Sequence, residues 1–220
     1  MPGDGVETQT DEELLGRYQR GDARAFELLL KRHRAPLFTY LVRMVGDRAK
    51  AEDLAQETFV RIIKGAKTWE QRARFKTWLF TIARNLCVDH TRRERFRAMP
   101  SLDEVGPPGA DEQDGAARVE RVAGDGALPD RAAESARMRP LLARAIASLP
   151  DEQREVFVMR EQAGMPFKEI AEAVGVNENT IKSRMRYALE GLRKHLEKAG
   201  VDADVAEVDG PATTAARSVR

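Results

Sequence analysis

The sequence predicts an all-α fold: two small helical domains joined by a flexible acidic linker. Three observations carry this reading. Apolar residues recur at three- and four-residue spacing through two long stretches, with Gly, Asp and Asn at the breaks. Between those stretches, from Ala98 to Arg137, the chain is rich in proline and glycine and holds nine acids against four bases. Such a segment buries too little apolar surface to offset the entropy of ordering it. Finally, 33% of the 220 residues are charged and only 6% are aromatic, a profile that suits helices around thin cores.

Residues 1–10 read as a flexible leader. Thr10 caps a first helix, with Glu13 placed three residues on as in a capping box. Gly21-Asp22 ends it and starts a second, whose stripe is Phe26, Leu29, Leu30, Leu37, Phe38, Leu41 and Met44. Pro36 lies inside that stripe and predicts a kink or break near Arg34. After Gly46-Asp47, a third helix turns Ala51, Leu54, Ala55, Phe59, Ile62 and Ile63 inward and Glu52, Asp53, Gln56, Glu57 and Arg61 outward. A polar loop, Gly65 to Arg74, precedes a fourth helix running from Phe75 to Arg97. From Arg72 to Arg97 eight bases stand against two acids. The first domain is thus residues 11–97, the linker 98–137, the second domain 138–198, and 199–220 a disordered tail.

The second domain centres on Pro166 to Glu197, PFKEIAEAVGVNENTIKSRMRYALEGLRKHLE. Phe167, Ile170, Ala171 and Val174 share one helical face. Gly175 supplies a positive-φ turn, and Asn177 caps the last helix. Ile181, Met185, Leu189, Leu192 and Leu196 form the stripe of that helix. Off it lie Asn179, Thr180, Lys182, Ser183, Arg184, Arg186 and Tyr187. An apolar back and a basic, hydrogen-bonding front are what a helix needs to read the major groove.

Bulk features narrow the function. The net charge of +1 sums strongly unequal segments. Cys87 is the single cysteine, which rules out a disulfide framework and points to a reducing compartment. No signal-like leader and no run of 18 apolar residues is present, so the expectation is a cytoplasmic protein without membrane insertion. His33, His90 and His195 are scattered, and there is no phosphate-binding glycine motif and no nucleophile elbow. The chain is therefore read as a non-enzyme with no metal and no cofactor.

Two regions resemble one known family. Ala51 to Trp69, AEDLAQETFVRIIKGAKTW, resembles the polymerase-binding segment of sigma-70 region 2, and Phe75 to Arg97, FKTWLFTIARNLCVDHTRRERFR, the promoter-melting, −10-reading segment next to it. Leu149 to Leu196 resembles region 4, the −35 reader. The order is the family's, and the minimal layout is similar to the extracytoplasmic-function (ECF) sigma factors. The resemblance implies a region 2 four-helix module and a region 4 helix-turn-helix module. It implies core RNA polymerase as a partner, through the clamp helices of the largest subunit and the flap of the second-largest, together with promoter DNA and an anti-sigma factor.

On that reading Glu52, Asp53, Gln56 and Glu57 bind polymerase. Lys76, Trp78, Arg84, Asn85, Arg92 and Arg93 contact the −10 element, with Asn85 placed by the Ile-Ala-x-Asn pattern of residues 82–85. Asn179, Thr180, Lys182, Ser183, Arg184, Arg186 and Tyr187 contact the −35 element. The alternative is a stand-alone helix-turn-helix regulator with an N-terminal sensing or dimerisation domain.

Overall fold

The computed structural model describes residues 9–70, 73–98 and 129–201, and among these every regular element is a helix. The leader 1–8, most of the linker (99–128) and the tail 202–220 lie outside the described residues.

In the N-terminal module, α1 (Asp11–Gln19) opens with the expected capping box: the Thr10 hydroxyl accepts from the Glu13 N–H, and the Glu13 carboxylate accepts from the Thr10 N–H at 2.8 Å. Asp11 then ties α1 to α2 (Ala23–Val45) through Arg32 and the buried His33, both at 2.6 Å. Burial pushes the Asp11 carboxyl up, but His33 and Arg32 more than offset it and hold the group below the usual carboxylate range.

Helix α2 runs continuously through Pro36, so of the kink or break expected near Arg34 the break does not occur. The ring forfeits one hydrogen bond, to the Arg32 carbonyl. Leu37, Tyr40 and Leu41, just beyond it, are all fully buried and anchor the continuing helix in the core. Gly46 closes it in the left-handed region at φ 77°, and Asp47 caps α3 (Arg48–Ala66).

One position on α3 departs from expectation. Ile63 is 44% exposed rather than inward, while Thr58 is fully buried, its hydroxyl donating to the Leu54 carbonyl. Stepping from Phe59 to Ile62 keeps the core face, whereas Ile63 lies a further 100° round the helix.

Helix α4 (Phe75–Ala98) is the hub of the molecule. Its inner face, Phe75, Leu79, Phe80, Ala83 and Cys87, is buried. Trp78 wedges its indole against Gly65 near the end of α3, flanked by Trp69 and Phe75 with ring centroids at 6.0 Å each. A Cβ at Gly65 would lie 2.8 Å from Trp78 Cζ2. Alanine normally gains about 1 kcal/mol over glycine inside a helix, but here the indole, flanked by Trp69 and Phe75, must shift to make room. Gly65→Ala is therefore expected to lower the melting temperature and shift the tryptophan emission. A rise in stability would show that the indole is free to move.

The C-terminal module is α5 (Pro129–Ala147), α6 (Asp151–Glu161), α7 (Phe167–Val174) and α8 (Glu178–Lys198). Helix α5 starts nine residues before Met138, the position at which the sequence pattern has structure resume. Proline suits a first helical position, and alanines lie at 132, 133 and 136. Gly175 takes φ 77° and the Asn177 side chain accepts from the Thr180 N–H at 2.8 Å, as the turn chemistry predicts. Leu189 is 50% exposed, not core; Ala188 takes its place, fully buried between Met185 and Leu192. Two successive four-residue steps, Ile181 to Met185 to Leu189, rotate 80° off the stripe, whereas a three-residue step returns to it.

The two modules pack together through α4 against α7 and α2 against α6. Their buried side chains form one continuous core. No helix among the described residues is long and apolar enough to cross a membrane.

Candidate nucleic-acid and polymerase interfaces

Three helical faces hold the residues singled out above. On α3, Glu52, Asp53, Gln56 and Glu57 lie on one side, the first two and Gln56 and Glu57 one turn apart. Arg48 pairs with Glu52 at 3.2 Å and Arg61 with Glu57 at 2.8 Å, each within the helix. Asp53 and Gln56 make no hydrogen bond or ion pair among the described residues. The same side continues into Val60, 40% exposed, and Ile63. A period-3.6 count misses these two because it assigns aliphatics to the core by default. A shallow groove between α2 and α3 adjoins this face, floored by Leu30, Phe38, Ala55 and Phe59, with the Arg48 guanidinium 5.1 Å from the Phe38 ring centre.

On α4 the six candidate residues divide between two faces. Trp78, Asn85 and Arg92 stand seven residues apart, close to one line along the helix. Asn85 and Arg92 are exposed and Trp78 half-buried. Arg92 lies over the exposed Phe96 ring at 5.8 Å, and Arg93 is exposed nearby.

Lys76 and Arg84 instead turn under the C-terminal module. Burial pushes the Lys76 ammonium down, partly countered by Glu169 and Asp11. Arg84 Nε lies 2.9 Å from Glu155 Oε1, close enough for an ion pair although its N–H is not aimed at the oxygen. Glu155 is 5% exposed and also accepts from the Tyr40 hydroxyl at 3.3 Å. Burial pushes its carboxyl above the usual range, and Arg84, Tyr40 and Arg184 offset this only in part. Burial, and then Glu155, push the Tyr40 hydroxyl well up, so it stays a donor. Sequence reasoning does not find this network. The one available signal is a carboxylate set directly before the apolar run Val156-Phe157-Val158-Met159.

On α8, Asn179, Lys182, Ser183, Arg186 and Tyr187 project from the helix and Thr180 is partly covered. Lys182 is held by Glu178 at 2.8 Å. Arg184 is drawn back to Glu152 of α6 at 2.7 Å, with its side chain 18% exposed. Arg186 lies over the Tyr187 ring, 4.9 Å from its centre, so the two form one projecting unit. The seven candidates are therefore not equivalent: Asn179, Ser183, Arg186 and Tyr187 are exposed and held by no other element among the described residues.

The comparisons with known proteins fall on these same modules. Residues 29–97 match the family model for sigma-70 region 2, and residues 139–192 that for sigma-70 region 4. The chain is 35% identical over 182 residues to the ECF RNA polymerase sigma factor SigL of Mycobacterium tuberculosis, covering 82% of this chain and 93% of that one. It is 29% identical over 178 residues to SigW of Bacillus subtilis, covering 81% and 92%. Among solved structures it is similar in fold to the sigma factor RpoE of Bartonella quintana in complex with the anti-sigma factor NepR. There the TM-score is 0.60 at 24% identity, covering 80% of this chain and 98% of that one. With both modules matched in order and relatives aligned along most of its length, the chain belongs to the sigma-70 family, among the RNA polymerase sigma factors of the ECF type.

Proposed function

We propose that the chain is a dissociable initiation factor of the cytoplasm. It binds core RNA polymerase, reads −10 and −35 elements and assists strand opening, with no catalysis of its own. The observation that supports this best is the pairing, in one chain, of an exposed acidic-amide face on α3 with a projecting basic-aromatic front on α8. A stand-alone regulator needs the second but not the first.

Residues 11–97 hold polymerase and the −10 strand, and residues 138–198 the −35 duplex. On α3, Asp53 and Gln56 meet the clamp helices of the largest polymerase subunit. On α4, Asn85 takes an extruded −10 base, with Trp78 beside it as a stacking surface and Arg92 and Arg93 on phosphate, where they position without specifying. Lys76 and Arg84 add cations to the same strand. On α8, Arg186 and Tyr187 carry most of the base contact, and Lys182 and Arg184 sit nearer the backbone. An anti-sigma protein belongs among the partners.

Mixing the purified chain with core polymerase and a promoter library should give specific initiation without any other sigma factor. A requirement for a second sigma overturns the reading. In the same assay Arg186→Ala should weaken promoters by about 1–3 kcal/mol at one position of the −35 element and relax the preference there. Uniform weakening across all sequences would move Arg186 to the phosphates.

A further inference from the structure

Helices α3 and α4 lack caps of their own where the chain passes from one to the other. Lys67, the residue after α3, stays right-handed at φ −67°, so no left-handed turn satisfies the last carbonyls of that helix. Arg74, the residue before α4, has no side-chain acceptor for the first N–H groups of its helix. Both gaps are filled from α1. The Gln19 amide nitrogen donates to the Ala66 and Trp69 carbonyls, each at 2.9 Å, and Glu12 Oε1 accepts from the Phe75 N–H at 3.0 Å. A carboxylate there also faces the positive end of the α4 dipole.

Helix α1 is itself firmly seated. Glu12 and Gln19 are seven residues apart, close to one line along the helix, and Leu15 on the same side between them is fully buried. The pairs of Asp11 with Arg32 and His33 fix the helix on α2. From the two anchors the contacts run on through rings and meet at Trp78. Trp69 and Phe75 each lie 6.0 Å from its ring centre. Trp78 begins the line that continues to Asn85 and Arg92.

We propose that α1 is a brace for −10 recognition, with Gln19 and Glu12 as positioning residues that fix the two ends of the α3–α4 connection and so set Trp78 and Asn85 for the extruded base. This rests on the reading that Trp78 and Asn85 receive that base. In this role neither Gln19 nor Glu12 touches DNA. A base pocket discriminates only when its walls hold still, because a slack wall admits the wrong base at little cost. The brace therefore acts on which base is preferred at the −10 element, not on how firmly polymerase or the −35 element is held.

Trp69 and Trp78 are the only tryptophans, so the emission of the protein reports on this place alone. Gln19→Leu keeps the reach of the side chain and removes both donors. Glu12→Leu removes the acceptor, and Glu12→Gln keeps an acceptor oxygen. In the full-length protein, both leucine variants should red-shift the emission and raise acrylamide quenching about twofold, with the helical circular dichroism unchanged. In holoenzyme assembled with core polymerase, on a promoter library randomised at both elements, they should flatten the base preference at the −10 positions several-fold. The −35 preference and the affinity for core polymerase should match the parent, and Glu12→Gln should stay close to the parent throughout.

An unmoved −10 preference in the leucine variants overturns the proposal, whatever the emission does. Initiation lowered equally on all promoters, with the −10 ranking intact, is the mark of lost stability alone and overturns it too. So does a flattened preference without any change in emission, since the effect then bypasses the indoles. Asn85→Ala in the same library tests the reading beneath the proposal. If Asn85→Ala flattens the −10 preference and the leucine variants do not, the pocket stands and the brace falls. If only the leucine variants flatten it, the reading of Asn85 fails and the brace stands, with the α3–α4 connection as the reader.

Discussion

Replacing Phe80 with alanine is expected to destabilise the protein by about 3–5 kcal/mol, the range for a large aromatic removed from a core that relaxes incompletely. Phe80 is fully buried on the inner face of α4, and its ring meets Tyr40 of α2 edge-to-face, with centroids 5.4 Å apart and planes at 81°. Such a pair contributes beyond its buried area. The loss spreads because of what Tyr40 does next. Its hydroxyl donates to Glu155 across the module contact, so a cavity beneath Tyr40 loosens the buried polar network that joins the modules. Urea unfolding monitored by circular dichroism measures the effect. A change below about 1 kcal/mol would mean that α2 and α4 collapse to fill the space, and that the edge-to-face pair does not fix their spacing.

Helix limits are legible in the sequence wherever a cap acts locally: Thr10 with Glu13, Gly46 with Asp47, Gly175 with Asn177. Each needs only its own neighbours, and each stands where expected. The start of α5 is not legible, because an average over Ala98 to Arg137 is dominated by the glycines and acids ahead of Pro129. Pro36 does not end α2, for the opposite reason: a local cost of one hydrogen bond is outweighed by tertiary burial on either side of it.

The candidate site divides along the same line. Exposure on α3 and α8 is a matter of periodicity alone, apart from Ile63 and Leu189, where a four-step count drifts off the core face. The separation of Lys76 and Arg84 from Asn85 and Arg92 cannot be read, since all four lie on one basic helix. Only the long-range packing of α6 and α7 on the N-terminal module distinguishes them.

Asp53→Ala and Gln56→Ala are expected to weaken binding to core polymerase far more than equivalent changes at Glu52 or Glu57. The four side chains share a face, but they are not equally available. Glu52 and Glu57 are already engaged by Arg48 and Arg61 one turn away, so a partner cation must compete with an existing intrahelical pair. Among the described residues Asp53 has no such partner, and Gln56 offers an uncommitted amide beside it. A hydrogen bond to a charged group is worth about 1.5–3 kcal/mol when one side is removed. For Asp53→Ala that corresponds to a loss of about 10- to 100-fold in affinity. Gln56→Ala, which removes a neutral partner, should fall near the lower end. Neither change touches the core, so thermal stability should stay within about 0.5 kcal/mol of the parent. Titration of labelled protein with core enzyme reads the affinities directly. Unchanged binding in both variants would remove the polymerase assignment from this face of α3, and a loss confined to Glu52 and Glu57 variants would move it to the flank carrying Arg48 and Arg61.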